Sequence, residues 1–328
     1  MNHMSLYLAR DPDWLEPFLK APSLQRLKHV GMNCGCEYTS FPLFHALRPY
    51  SRFDHSLGVA KIIYHFTEDP AQSLSGLFHD IATPVFAHVV DFLHGDYLTQ
   101  ESTEQDTEKR IREDPVIDQL LQDMHLDVQA VSDAMRYPAA DLPSPRICAD
   151  RLEYTIGNSL NYGFATPDAI THLYDDLRFS ALPDGSMEIM FQGEMEARLF
   201  GYLALRCGQI YVSDPDRYAM QVLSELLADA LKEGVLQPGD LMRTEPEVIA
   251  RLRSSGLSGR WEEFCALSRI LRAERPRLDG PWRRVSAKRR YIDPYIQGRG
   301  RLSAVCPDFA RELQAFLAVS QDVWLCGS

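Results

Sequence analysis

The chain has 328 residues, with 34 Lys and Arg against 46 Asp and Glu and a formal net charge of −12. That length predicts one large or two ordinary domains with a real core, and the apolar and charged fractions, 45% and 24%, exclude wholesale disorder. The acid excess argues against broad electrostatic binding to nucleic acid or an anionic membrane, because both reward a basic face.

Met1–Met4 is not followed by the basic and apolar runs of a signal peptide, and no window approaches the ~18 apolar residues of a membrane span. Leu24, Leu27 and Val30 begin an amphipathic helix. Cys34-Gly-Cys36 has no second pair at zinc-knuckle spacing and reads as buried thiols. Seven scattered cysteines form no disulfide framework, which predicts a reducing, cytoplasmic location. Val59, Ile62, Ile63 and Phe66 mark a second helix, capped by Ser51 or Asp54. Residues 72–81 read as a short, strongly apolar helix that Pro84 ends or kinks.

From Asp91 to Asp133 there are 12 acidic residues against 3 basic ones, which predicts a solvated helical face. Residues 131–137 and 147–160 look helical, with a loop over 138–145. Leu182-Pro-Asp-Gly-Ser before 187–191 predicts a small β-hairpin. Helices resume over 194–210 and 216–233, 234–246 reads as a linker or loop, and the remainder reads as helix-rich. The expected fold is therefore mainly α. A lead-in covers 1–20, a helical core covers 21–165, and a helical C-terminal extension with the hairpin covers 166–328. That extension is expected to pack on the core rather than fold independently.

Three segments stand out chemically: Ser51–Val59 with His55, Leu77–Ile81 with His79-Asp80, and Ala149–Tyr154 with Asp150. An imidazole and a carboxylate side by side among Leu74, Leu77, Phe78 and Ile81 are costly to bury unless paired or bound to a cation. Two imidazoles and two carboxylates suit one divalent metal with positions left open for water and substrate. Fe, Mn, Ni, Co, Zn and Mg are all compatible with this set.

At this point the sequence resembles the HD-domain phosphohydrolase superfamily, most closely its deoxynucleoside-triphosphate triphosphohydrolase branch, which includes the SAM-and-HD-domain enzyme. The resemblance runs through Ser23–Lys28 and Phe41-Pro42, Ser51–Val59, His79–Ile81 with Pro84–His88, and Asp150–Asn158, and covers about residues 20–165. It implies an HD-domain core in which His55, His79, Asp80 and Asp150 ligate the metal. It further implies that Arg52 reaches substrate phosphate, that His88 with Asp91 is catalytic, and that Tyr154 faces substrate. The implied activity is metal-dependent hydrolysis of a phosphoester of a nucleotide, by a homo-oligomer without nucleic-acid or membrane partners.

The chain departs from that branch at three places. Thr83 and Thr103 stand where the branch has histidines, and Ser213-Asp214-Pro215-Asp216 stands where it has basic residues. A triphosphate, a monophosphate or a modified nucleotide all stay open as substrate. A catalytically weak metal- and nucleotide-binding regulatory protein is the alternative. Residues 282–291 place five cations within 283–290, read as a surface stretch pairing with the acidic body, against phosphate contact as the other reading. His29, His45, His65, His94, His125 and His172 have no partner pattern.

Overall fold

The computed structural model describes residues 4–93, 106–277 and 280–328. The helix Arg52–Thr67 starts at Ser51, whose side chain accepts the Asp54 N–H while the Asp54 carboxylate accepts the Ser51 N–H at 3.1 Å. Both sequence candidates thus serve one reciprocal cap. The start is fixed further by a single antiparallel bridge between Gly31 and Ser51 and by Arg52 N–H donating to Val30 O at 2.8 Å.

The helix Pro70–Phe78 is capped by Asp69 and packs antiparallel to it, with Gly76 against Ile63 and Val59. It ends earlier than the apolar run predicts. His79 is its C-cap, and Asp80 lies in a turn closed by Thr83 N–H on Asp80 O at 2.9 Å. Pro84 disfavours helical backbone at Thr83, so the chain turns out there. The helix expected over residues 72–81 therefore stops short of Asp80.

The helix Ala149–Asn161 packs across Arg52–Thr67, burying Leu152 and Ile156 with Val59, Ile62 and Ile63. The same cluster includes Tyr7, Phe200 and Phe309, so one apolar core runs from the N-terminal helix to the C-terminal region. A second cluster joins Leu15, Phe18, Leu24 and Leu27 to Leu74, Leu77 and Phe78 and to Ile111, Ile117 and Leu121. Within the acid-rich stretch most described acids are solvated, but Asp91 and Asp114 are buried, against the expectation of a uniformly solvated face. Asp114 accepts N–H groups from Ser23, Val116 and Ile117, which explains why its burial is tolerated.

The hairpin forms as the turn residues predict, with Leu177–Ala181 antiparallel to Met187–Phe191 and Leu177 opposite Phe191. It is not isolated. Phe191 pairs in parallel with Ile296, and Tyr295–Ile296 pairs with Gly300–Arg301, giving four strands. Three further strands, Ile270–Ala273, Trp324–Gly327 and Arg283–Arg284, form a second sheet. The helix-rich expectation beyond 246 misses these strands because two to four residues carry no readable period.

The long helices Glu194–Tyr211 and Asp214–Lys232 lead into the supposed linker 234–246. That segment is a loop anchored on the core at a few points rather than a free linker. Leu236 is buried, Pro238–Met242 is a 3-10 turn, Leu241 O accepts Val85 N–H at 2.7 Å, and buried Glu245 opens the helix Glu245–Arg253. Among the described residues no helix is long and apolar enough to cross a membrane.

Candidate metal centre

The structure brings His55, His79, Asp80 and Asp150 to one point. His55 Nε2 lies 3.2 Å from His79 Nε2 and 3.0 Å from Asp150 Oδ1. His79 Nε2 is 3.7 Å from Asp150 Oδ1 and 3.6 Å from Asp80 Oδ2, and His55 Nε2 is 3.9 Å from Asp80 Oδ2. Ligands of one ion, each about 2.0–2.2 Å from it, stand about 3.0–3.5 Å apart.

The hydrogen bonds behind the site decide what these atoms can do. His79 Nδ1–H donates to Gly76 O at 2.6 Å, and His55 Nδ1–H donates to Glu153 Oε2 at 2.6 Å. Both Nε2 atoms then present lone pairs to each other and to two carboxylate oxygens. Four electron-rich atoms this close repel unless a cation or proton sits among them, so the donor set fits a divalent ion. In the metal-free protein a proton supplies the relief. Burial disfavours charge on His55, but hydrogen bonds to Asp150 and Glu153 outweigh it and push its pKa up to about 10.

Glu153 is fully buried, and Tyr7 and Tyr50 hydroxyls donate to it as well. It fits against Gly58, where a Cβ would stand 2.6 Å from the Glu153 Cγ, so only glycine permits this approach. The sequence reading missed Glu153. Its signal is the i, i+3 spacing from Asp150, which puts both carboxylates on one side of the helix.

Asp80 is gripped from two sides. Arg52 Nη1 donates to Oδ2 at 2.9 Å and Thr83 Oγ1 donates to Oδ1 at 2.8 Å. Burial opposes its charge, yet Arg52 and the two imidazoles hold its pKa far below the ordinary carboxylate range. Arg52, expected to reach substrate phosphate, is thus paired with Asp80. Thr83, noted as a departure, orients that carboxylate. Thr103 and His94 lie outside the described residues.

His88 and Asp91 meet as the resemblance implies, with Nδ1 2.9 Å from Oδ2 of the fully buried Asp91. The approach to His88 is strained. Phe86 and Ala87 have φ of 56° and 48°, left-handed values that cost a non-glycine residue of order 1–2 kcal/mol each. The neighbouring structure imposes them: Val85 is held by Leu241, and Phe86 is set between Tyr38 and Trp261.

Arg290 Nη2, 202 residues away in sequence, lies 3.3 Å from His88 Nε2. Burial, helped by the charges of Arg290 and Arg52, pushes the His88 pKa down to about 4 despite Asp91. Arg290 corrects the surface reading of the basic stretch in part. Arg283 pairs with Glu225, Arg284 with Asp322 and Arg289 with Val319 O, as a surface stretch should, while Arg290 turns inward. Tyr154 lies edge-on to Tyr211, ring centroids 6.2 Å apart, and its phenol feels Asp150 and Arg290.

A second group, Asp141, Cys148 and Asp150, is close enough to hold an ion. Arg151 Nη1 already sits among them, 3.3 Å from Asp141 Oδ1 and 3.1 Å from Cys148 Sγ, and supplies the counter-charge.

No family model matches the chain. The uncharacterized protein YdhJ of Bacillus subtilis is 25% identical over 252 residues, covering 74% of this chain and 71% of that protein. A protein of Cordyceps militaris named metal-dependent phosphohydrolase cns2 is 22% identical over 325 residues, 94% of this chain and 89% of its own. Among solved structures, a phosphohydrolase from Bacteroides thetaiotaomicron superposes with a TM-score of 0.68 at 14% identity, covering 97% of this chain and 96% of that one. A hypothetical protein from Aquifex aeolicus gives 0.62 at 17% identity, covering 97% and 92%. The chain therefore shares its fold, over nearly its whole length, with a protein described as a phosphohydrolase.

Proposed function

We propose that the chain is an HD-type, metal-dependent phosphohydrolase that cleaves a phosphoester of a nucleotide. The observation that carries this reading is the convergence of two bare imidazole lone pairs and two carboxylates beside a His88–Asp91 pair. The two relatives described as phosphohydrolases support the reaction class. The metal ligands are His55, His79, Asp80 and Asp150. One divalent ion held there supplies positive charge for phosphate and a water of lowered pKa.

The chain's own groups do the rest. Glu153 and Gly76 O fix the two imidazoles with Nε2 inward, as second-layer partners of metal-bound histidines do. Arg52 and Thr83 hold Asp80 in one orientation. Asp91 keeps the His88 proton on Nδ1, so Nε2 is the atom that takes or returns a proton beside the phosphoester. Tyr154 offers an aromatic face to the non-phosphate part of the substrate. The free, mostly buried thiols support a cytoplasmic location, and the resemblance supports a homo-oligomer.

The test is metal analysis followed by a nucleotide panel scored for phosphate, pyrophosphate and triphosphate release, with Asp80→Ala as control. Release of one of these by the metal-loaded wild type and not by the variant is expected, and the product identifies the bond cut. Failure to retain metal under replete conditions sinks the site. Retained metal and nucleotide-induced thermal stabilisation without release favour the regulatory alternative, which the threonine at position 83 motivates.

A further inference from the structure

We propose that Glu37 and Glu245 share one buried proton and together clamp the turn that presents His88 to the start of the helix carrying Arg52 and His55. Both are positioning residues, and the importance given to His88 rests on the phosphohydrolase reading.

Glu245 touches both sides of the site. Its N–H donates to His29 O at 3.1 Å. Its carboxylate accepts Gly31 N–H at 2.8 Å and the Tyr38 hydroxyl at 2.7 Å. Gly31 bridges Ser51, the cap of the Arg52–Thr67 helix. Tyr38 packs edge-on against Phe86, ring centroids 6.1 Å apart, and the Phe86 backbone also favours charge on Glu245. Phe86 and Ala87 are the left-handed pair that leads into His88, and Val85 just before them is held by Leu241 O. A single carboxylate, in a residue only 2% exposed, thus fastens the His88 turn to the Arg52 helix.

Glu37 faces this carboxylate. A Cβ at Gly31 would collide with Glu37 Oε1 and stand 3.6 Å from Glu245 Oε1, so glycine leaves the room in which the two acids approach. Glu37 Oε2 is buried with no hydrogen-bond partner among the described residues. Two carboxyl groups enclosed side by side do not both ionise. Glu245 has the donors and keeps the charge, so Glu37 takes the proton. Burial and Glu245 push the Glu37 pKa up to about 8, against the backbone groups of Asn33, Gly35 and Glu37 that favour its charge. Cys34, Cys36, Tyr38, Tyr162 and Asp216 also face Glu37, and Arg52 acts on Glu245. Loss of the shared proton leaves two anions across Gly31, and their repulsion loosens the hold on Phe86.

The test follows urea unfolding of the full-length, zinc-loaded protein between about pH 6 and 8, with His88 observed by imidazole NMR. A carboxyl whose pKa is raised on folding holds its proton more tightly in the folded state. The stability it contributes therefore falls as pH rises from the ordinary 4.5 towards about 8. Relative to Glu37→Gln, which mimics the protonated acid, wild type is expected to lose about tenfold in folding equilibrium constant per pH unit. Glu245→Ala is expected to move the His88 signals and to lower kcat about tenfold or more, with KM and zinc content unchanged. Glu245→Gln keeps an acceptor for Gly31 and Tyr38 and is expected to recover part of both effects. Glu247→Gln, on the exposed side of the same helix, is expected to leave the His88 signals where they are in wild type. Equal pH dependence in wild type and Glu37→Gln overturns the proposal, as do unmoved His88 signals in Glu245→Ala. The Glu37→Gln comparison decides even where Glu245→Ala does not fold. Both readouts need no substrate, so their failure sinks the clamp alone. A clamp that passes them in a protein releasing no phosphate product from any nucleotide sinks the hydrolase reading alone.

Discussion

Removing the Glu153 carboxylate lets His55 exchange tautomers and turn its lone pair away from His79 and Asp150. Glu153→Gln is expected to lower metal affinity roughly 10–100-fold, as loss of such supporting partners does. Titration against a competing chelator measures this, and an unchanged affinity would restrict Glu153 to a packing role. Asp91→Asn leaves the centre intact but no longer selects the Nδ1–H form of His88. The expected result is a loss of about 100-fold or more in kcat at unchanged metal content. The meeting of His55, His79, Asp80 and Asp150 was legible because charged groups in apolar surroundings demand a partner. Glu153 was not legible, since an acid beside Arg151 on a helix reads equally well as a surface pair. Arg290 was hidden by its neighbours. Four other cations within 283–290 read as a solvated run, and nothing local separates the one that turns inward.

At the scale of elements, the two helices bearing His55 and Asp150 are held at a distance set by Gly58. Gly58→Ala drives a methyl into Glu153, and overpacking of this kind costs typically 1–3 kcal/mol. Urea unfolding should show that loss, together with weaker metal binding, because the displaced group is the His55 partner. A variant as stable as wild type would mean that the helices can separate freely. The long helices were readable from their apolar period, and the hairpin from Pro-Asp-Gly-Ser. The end of the Pro70–Phe78 helix was not, because burial continues through Ile81 after helical geometry stops. The segment 234–246 is legible as a loop, though its anchoring on the core is not. Its Gly and Pro residues set a 3-10 turn against Val85 rather than a free connection.

For the whole molecule, the relevant equilibrium couples metal, protons and folding. The His55 pKa, about 10 without metal, lies above its ordinary 6.5. Its contribution to metal-free stability is thus fully present below about pH 6.5 and is lost as pH rises towards 10. Metal must displace that proton, so affinity is expected to rise with pH across the neutral range, by up to about tenfold per unit. Calorimetry in buffers of different ionisation enthalpy would count the protons released, and none released at pH 7 would contradict the assignment. Saturating metal should also raise the melting temperature, about 2.7 kcal/mol at a hundredfold excess over Kd, and a chelator should reverse it. A net charge of −12 repels phosphates at long range, so any phosphate binding would depend on charges placed at short range.

The order in which the chain is made gives Arg290 a further meaning. All four metal-converging residues are in place by position 150, whereas Arg290 follows 140 residues later. A chain broken or stalled before its last forty residues carries all four donor residues yet lacks the group that touches His88 and also Ile296, Phe309 and Phe316 of the core that packs Leu152 and Ile156. The residues made last therefore close the core beneath residues made first, and the order of synthesis delays the packing that holds the helices of His55 and Asp150 together.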